Sequence, residues 1–199
     1  MKMVAAWLAC ACMACGADTI EVFGRSWTVP VKSDWAVEGE VLRLVEHRGP
    51  PPGPRRPIQF ALTEVPAYRM ATVESDVMAL GKSLAIAFAY RDEAHFDYAH
   101  ISIETGASQP VHNGIFHVYG GDRVRISSEA GPAALRKSGE WHHVKLVHDA
   151  TAGSVNVAVD GRDVPALSAV DRSLGAGLIG IGSFDETGAF RAVKITVSQ

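Results

Sequence analysis

The stretch EWHHVKLVHDATAGSVNVAVDGRDV, Glu140–Val164, followed by GAGLIGIGSFDETGAFRAVKITV, Gly175–Val197, decides how this chain is read. From Trp141 the side chains alternate: Trp141, His143, Lys145 and Val147 share one face, and His142, Val144, Leu146 and His148 share the other. A period of two is the signature of a half-buried strand. Asp149 to Gly153 reads as a turn, SVNVAV as a second alternating run, and Asp160-Gly161 as a tight turn of the kind that joins antiparallel strands. GLIGIGSF and GAFRAVKITV add two more strands. The glycines at every second or third place of the first suit a strand whose face meets another backbone closely.

Working outward, the same texture continues toward the amino terminus. WAVEGEVLRLVEH alternates around a glycine turn, and PIQFALTEV, ATVESDVMAL and LAIAFAYR are strand-length runs rich in Val, Ile, Phe and Tyr. HFDYAHISIETGASQPVHNGIFHVYGG, His95–Gly121, reads as one or two strands carrying four of the eight histidines. GPPPGPRRP, Gly49–Pro57, lacks the backbone donors a sheet needs and reads as an exposed loop. Counting all runs gives about twelve strands, more than one flat sheet tolerates, so the expected fold is all-β: two antiparallel sheets packed face to face.

The 199 residues suit one domain, with 47% hydrophobic and 21% charged residues and a formal net charge of -3. No basic surface for nucleic acid or an anionic membrane is expected from that balance. Residues 1–17 have the layout of a secretory signal: Lys2, an apolar run too short to span a bilayer as a transmembrane helix, and small residues before Asp18. Cys10, Cys12 and Cys15 all fall inside it, so a chain cleaved after Ala17 carries no cysteine. Cys15-Gly16 offers the alternative of a lipid anchor. Either way the expectation is an exported protein, periplasmic or extracellular, whose domain spans 18–199.

The carboxy-terminal motifs resemble the closing strands of concanavalin A-like lectin and glucanase sandwiches, in the branch of laminin-G-like modules and bacterial 3-keto-glycoside hydrolase-like domains. The motifs are Trp-His-x-Val at Trp141, Val-Asp-Gly at Val159, Gly-x-Ile-Gly-Ile-Gly at Gly177, and Phe-Arg-x-Val at Phe190. The likeness is good over Glu140–Val197 and looser over Trp35–Tyr98. It implies a jelly-roll topology and a concave sheet where relatives hold glycans. Glucanases of this fold carry carboxylates spaced Glu-x-Asp-x-(x)-Glu on one strand. Glu74 and Asp76 match the first two, but Val77, Met78, Ala79 and Leu80 supply no third acid, so retaining glucanase chemistry is not expected.

Strand parity separates the clustered histidines. His95, Asp97, Ala99 and Ile101 share one face, and Phe96, Tyr98, His100, Ser102 and Glu104 the other. Along VHNGIFHVY, His112, Phe116 and Val118 part from Asn113, Ile115, His117 and Tyr119. No single strand offers two histidines at ligand spacing, so no metal and no cofactor is expected; a cross-strand pair such as His100 with His112 is the one geometry that would reopen the question. Tyr98, His100, His112 and Asn113 form a candidate carbohydrate-binding patch, an aromatic ring beside hydrogen-bonding groups, with Arg91 at its rim. The turn aspartates Asp149, Asp160, Asp163 and Asp185 are expected for backbone reasons and carry no calcium assignment. The resulting expectation is a carbohydrate- or surface-binding module. The resemblance also allows a hydrolase or lyase acting on a 3-keto-glycoside, with His100 or His112 as acid–base group, or a structural envelope module.

Overall fold

Alternating small and branched side chains, punctuated by glycine turns, build fifteen strands in the described residues of the computed structural model, which are 18–49 and 52–199. Residues 1–17, on which the expectations of an export signal and of a lipid anchor at Cys15 fall, lie outside them. In chain order the strands begin with β1 (Asp18–Val22), β2 (Arg25–Val29), β3 (Trp35–Glu38), β4 (Val41–Leu44) and β5 (Gln59–Thr63). They continue with β6 (Met70–Ala79), β7 (Ser83–Asp92), β8 (His95–Ser102), β9 (Gly114–Tyr119) and β10 (Asp122–Arg125). The last five are β11 (His142–Asp149), β12 (Ser154–Val159), β13 (Arg162–Val170), β14 (Leu178–Ser183) and β15 (Gly188–Ser198). The one helical turn described is a 3-10 segment, Lys32–Asp34.

The strands form two antiparallel sheets. One has eight strands in the order β1-β2-β5-β14-β7-β8-β9-β10, the other seven in the order β13-β12-β11-β6-β15-β4-β3. Neighbours that are distant in sequence, such as β14 between β5 and β7, give the jelly-roll topology. Between the sheets lies one continuous core that includes Trp27, Leu42, Val73, Leu84, Ile86, Phe88, Ile101, Leu146, Ile181 and Phe190. The count exceeds twelve because several strands, such as β3, β4 and β10, are only four residues long.

Alternation along each strand divides the sheets into inner and outer faces. On β6 the pattern is strict: Ala71, Val73, Ser75, Val77 and Ala79 turn inward, and Glu74 and Asp76 outward. There Asp76 pairs with His143 at 3.0 Å and with Arg191 at 3.1 Å, and Glu74 lies 3.7 Å from Lys145, so these two acids belong to a solvated charged face. His142 and His148 point inward, as the parity of WHHVKLVHD requires. Each is tied off: His142 Nδ1 lies 2.8 Å from Asp160, and His148 Nδ1 lies 3.2 Å from the Tyr68 hydroxyl.

The outer face of the eight-stranded sheet is different. It carries a second apolar cluster of Phe60, Ala85, Ala87, Phe96, Tyr98, Phe116 and Val118, with Leu62 and Tyr90 packed against it. Tyr90 reaches this face through a β-bulge in which Phe88 and Ala89 together oppose the single residue Ile179. The extra residue, Ala89, sits at φ 51° and restores the outward phase of the strand.

Candidate functional site

The rings of the cluster on this outer face come from β5, β7, β8 and β9, by alternation on β5, β8 and β9 and through the bulge on β7. Tyr98 stacks on Phe116 with ring centroids 5.2 Å apart, Tyr90 stacks on Phe96 at 5.0 Å, and Phe60 meets Phe96 edge-on at 5.8 Å. An outer face would ordinarily leave such rings wet. Here arginines roof them at the β9–β10 side. Register places Arg123 beside Val118 and Arg125 beside Phe116, so both guanidinium groups turn to the same face as the rings. Arg123 lies 4.4 Å from the Phe184 centroid and 5.7 Å from that of Phe116, and Arg125 lies 4.9 Å from Phe116. Such contacts combine cation–π attraction with exclusion of water.

Beneath that roof the sequence-derived candidates come together, but as a foundation. Tyr98 is 0% exposed, and its hydroxyl accepts a 3.2 Å hydrogen bond from Arg123. Burial pushes its phenol up to about 12. His100 is 2% exposed: Nδ1 donates to the Val111 carbonyl at 2.8 Å, and Nε2 faces the Ser83 hydroxyl at 2.8 Å. Burial, and secondarily the neighbouring His112, depress the imidazole to about 3. His100 and His112 do meet across strands, with centroids 4.8 Å apart. Both nitrogens of His100 are already engaged by protein groups, so the pair offers no free metal ligand set.

The other candidates fall into different roles. His112, partly exposed, places Nδ1 2.7 Å from Glu104, which is itself bonded to Lys82 at 2.7 Å. Asn113 is buried with φ 46°, and its amide bridges the Pro132 carbonyl at 3.0 Å and the Ala134 N–H at 3.2 Å. It organises the 130–135 loop. Arg91 is exposed and donates to the Leu174 carbonyl at 3.1 Å, a tie to the loop before β14. Of the five, Tyr98, His100 and His112 adjoin one another, and Arg91 stands apart from them.

The open part of the outer face lies beside the cluster, over β2, β5 and the end of β7, as a cleft of about 570 Å³. Its lining includes Thr28, Phe60, Leu62 and Tyr90 as a largely apolar floor, and Asp18, Arg48, Arg56, Gln59 and Glu93 as polar groups. The polar groups are held in place. Arg48 grips Asp34 through Nε at 2.5 Å and Nη2 at 2.7 Å, which lowers the carboxyl below its ordinary range, and Gln59 donates to Asp34 at 3.1 Å. Arg56 donates to the Glu93 carbonyl at 2.6 Å. The proline-rich loop therefore sends its arginines onto this face: Arg56 to the cleft, and Arg55 over Phe184 at 5.3 Å with an ion pair to Asp185 at 3.0 Å. Its described residues form no strand.

Sequence reasoning missed Arg55, Arg56, Arg123, Arg125 and Phe184. A signal existed for two of them. The Gly120-Gly121 hairpin turn and strand parity together assign Arg123 and Arg125 to the face of Phe116.

These two sheets and their strand order define a concanavalin A-like jelly-roll sandwich. Among solved structures the chain is similar to the carbohydrate-binding module CBM66 from Bacillus subtilis, with 19% identity, TM-score 0.63, and coverage of 85% of this chain and 94% of that one. It is also similar to a putative glycosyl hydrolase from Parabacteroides distasonis, with 16% identity, TM-score 0.56, and coverage of 82% and 89%. A third is the xylan β-1,4-xylosidase from Bacillus halodurans, with 13% identity, TM-score 0.53, and coverage of 84% of this chain and 35% of that one. No family model and no curated sequence matches the chain. At these identities the likeness establishes the fold.

Proposed function

We propose that this chain is an exported, non-catalytic carbohydrate-binding module whose ligand lies in the cleft on the outer face of the eight-stranded sheet. The observation that carries the reading is the cleft's construction: Tyr90, Phe60 and Leu62 form its floor, and Asp18, Arg56, Gln59 and Glu93 stand among its lining. A sugar ring presents apolar C–H groups on its faces and hydroxyls at its edge, and it needs such a pairing of surfaces. The similarity in fold to a module named for carbohydrate binding supports the same reading. Support for the non-catalytic part comes from His100, whose imidazole is enclosed and depressed to about 3, outside the range of a general acid at neutral pH. Export rests on the layout of residues 1–17.

Titration calorimetry and affinity electrophoresis against a panel of plant and bacterial polysaccharides test this. Saturable binding is expected, with no release of reducing ends. Tyr90→Ala is expected to weaken it about tenfold, the loss of one stacking contact. Glu93→Gln at the rim gives a second reading that does not disturb the stacked rings. A blank panel, or affinity indifferent to both substitutions, overturns the proposal.

A further inference from the structure

Strands β8 and β9 carry a second polar group on their inner side, which the glycan site does not use. Asp97 and His117 stand directly opposite each other in the antiparallel register. Asp171, just beyond β13, reaches them from the seven-stranded sheet. His117 Nδ1 lies 2.7 Å from Asp97 Oδ1 and 2.7 Å from Asp171 Oδ2, and the three ligand atoms are within 4.8 Å of one another. Asp97 is 2% exposed, whereas the side chains of His117 and Asp171 are 14% and 17% exposed, so the group is enclosed on the Asp97 side and reaches solvent on the other.

The charges in this group do not close. No lysine or arginine pairs with any of the three among the described residues, and the one hydrogen bond of Asp97 goes to His117. A ring nitrogen carries one proton, and of the two short contacts only that to Asp97 has hydrogen-bond geometry. Asp171 Oδ2 stands equally close without a proton of its own to share. Its other oxygen is already taken by the Ser173 N–H at 2.7 Å. A buried carboxylate and a second one converge on a single imidazole nitrogen, with no lysine or arginine among the described residues paired to any of the three, and a bound cation would balance this arrangement.

We propose that Asp97, His117 and Asp171 form a binding site for a divalent first-row transition ion, with Zn²⁺ as its representative, that ties the two sheets together at this end of the sandwich. One imidazole nitrogen with two carboxylates selects such an ion over Ca²⁺ or Mg²⁺, which take all-oxygen sets. Zinc bonds of about 2.0–2.2 Å hold tetrahedral ligands roughly 3.3 Å apart, so the 2.7 Å contacts open by about half an ångström on loading. The exposed side leaves a position for water. The third ligand is positioned by backbone: Asp171 N–H donates to the Gly153 carbonyl at 2.9 Å, and a side chain on Gly153, at φ 72°, would run into the Asp171 carbonyl. The site is on the opposite side of β8 and β9 from the aromatic cluster, so it is independent of the glycan reading.

The test uses the full chain stripped with chelator and dialysed. Thermal melts and titration calorimetry are run with Zn²⁺, and separately with Ca²⁺ and Mg²⁺; Co²⁺ serves as a visible-absorption probe. Expected are one Zn²⁺ per chain, a raised Tm with Zn²⁺ and no comparable rise with Ca²⁺ or Mg²⁺, and a cobalt spectrum of low coordination number. Asp171→Asn and His117→Gln are each expected to melt cooperatively without metal and to lose the Zn²⁺ shift. A wild-type Tm indifferent to Zn²⁺ overturns the proposal. So does a Zn²⁺ shift that survives in both variants, because it would place the ion on other histidines.

Discussion

His100 shows how far a residue's surroundings move it from what its type suggests. Folding encloses it and holds its imidazole near pH 3; His148, packed against Phe88 and Tyr68, is depressed to about 4 by burial. In the unfolded chain both hold a proton below about pH 6.5. The unfolded state therefore binds more protons between about pH 4 and 6.5, so stability rises with pH there and is lost as pH falls through the folded values. Each group contributes a slope of at most about 1.4 kcal/mol per pH unit. Asp97 opposes them in the metal-free protein: its folded value of about 6 keeps a proton that the unfolded chain releases near 4, so its contribution is lost as pH rises. Two groups outweigh one. Urea denaturation from pH 4.5 to 7 is expected to show a midpoint that falls toward acid, and His100→Gln is expected to flatten that fall. A wild-type midpoint independent of pH would contradict the assignment.

Among the elements, β14 best joins sequence pattern to packing. GLIGIGSF was readable as a strand whose glycines allow close approach, and the structure supplies the partners. A side chain on Gly182 would overlap the Gln59 carbonyl oxygen of β5, and one on Gly180 would lie 2.7 Å from Leu62 Cδ2. The approach lets β14 sit between β5 and β7 under the aromatic cluster. Gly182→Ala is expected to cost about 1–3 kcal/mol, read as a lower denaturation midpoint with an unchanged slope. Strand β7 makes the complementary point. Parity alone carries LAIAFAY through Tyr90 on the wrong face, and only the bulge at Ala89 returns the ring to the outer side where the cleft is. A bulge has no sequence signature as strong as the alternation it interrupts.

For the molecule as a whole, the two outer faces are unequal. The seven-stranded sheet presents Glu74, Asp76, His143, Lys145 and Arg191 in exposed ion pairs of the kind that contribute little to stability. The eight-stranded sheet presents rings, arginines and a cleft. Lys145→Ala is accordingly expected to leave polysaccharide affinity unchanged in the calorimetric assay that registers Tyr90→Ala; equal losses in both would move the ligand off the proposed face. Among the described residues no helix is long and apolar enough to cross a membrane.

Period-two alternation is a property of consecutive residues, so the amino-acid order was enough to establish strands, an all-β sandwich, and the parity that parts His95 from His100 along β8. The covering of a face depends instead on segments that are remote in the chain. Arg55 from the proline-rich loop, Phe184 beyond β14 and Arg123 on β10 converge over Tyr98 and His100 only once the sheets have formed, and they turn a patch of exposed candidates into a buried foundation. Asp97, His117 and Asp171 meet for the same reason: one sheet pairs the first two, and packing of the other sheet delivers the third. Local pattern carries no information about contacts that only the closed sandwich creates.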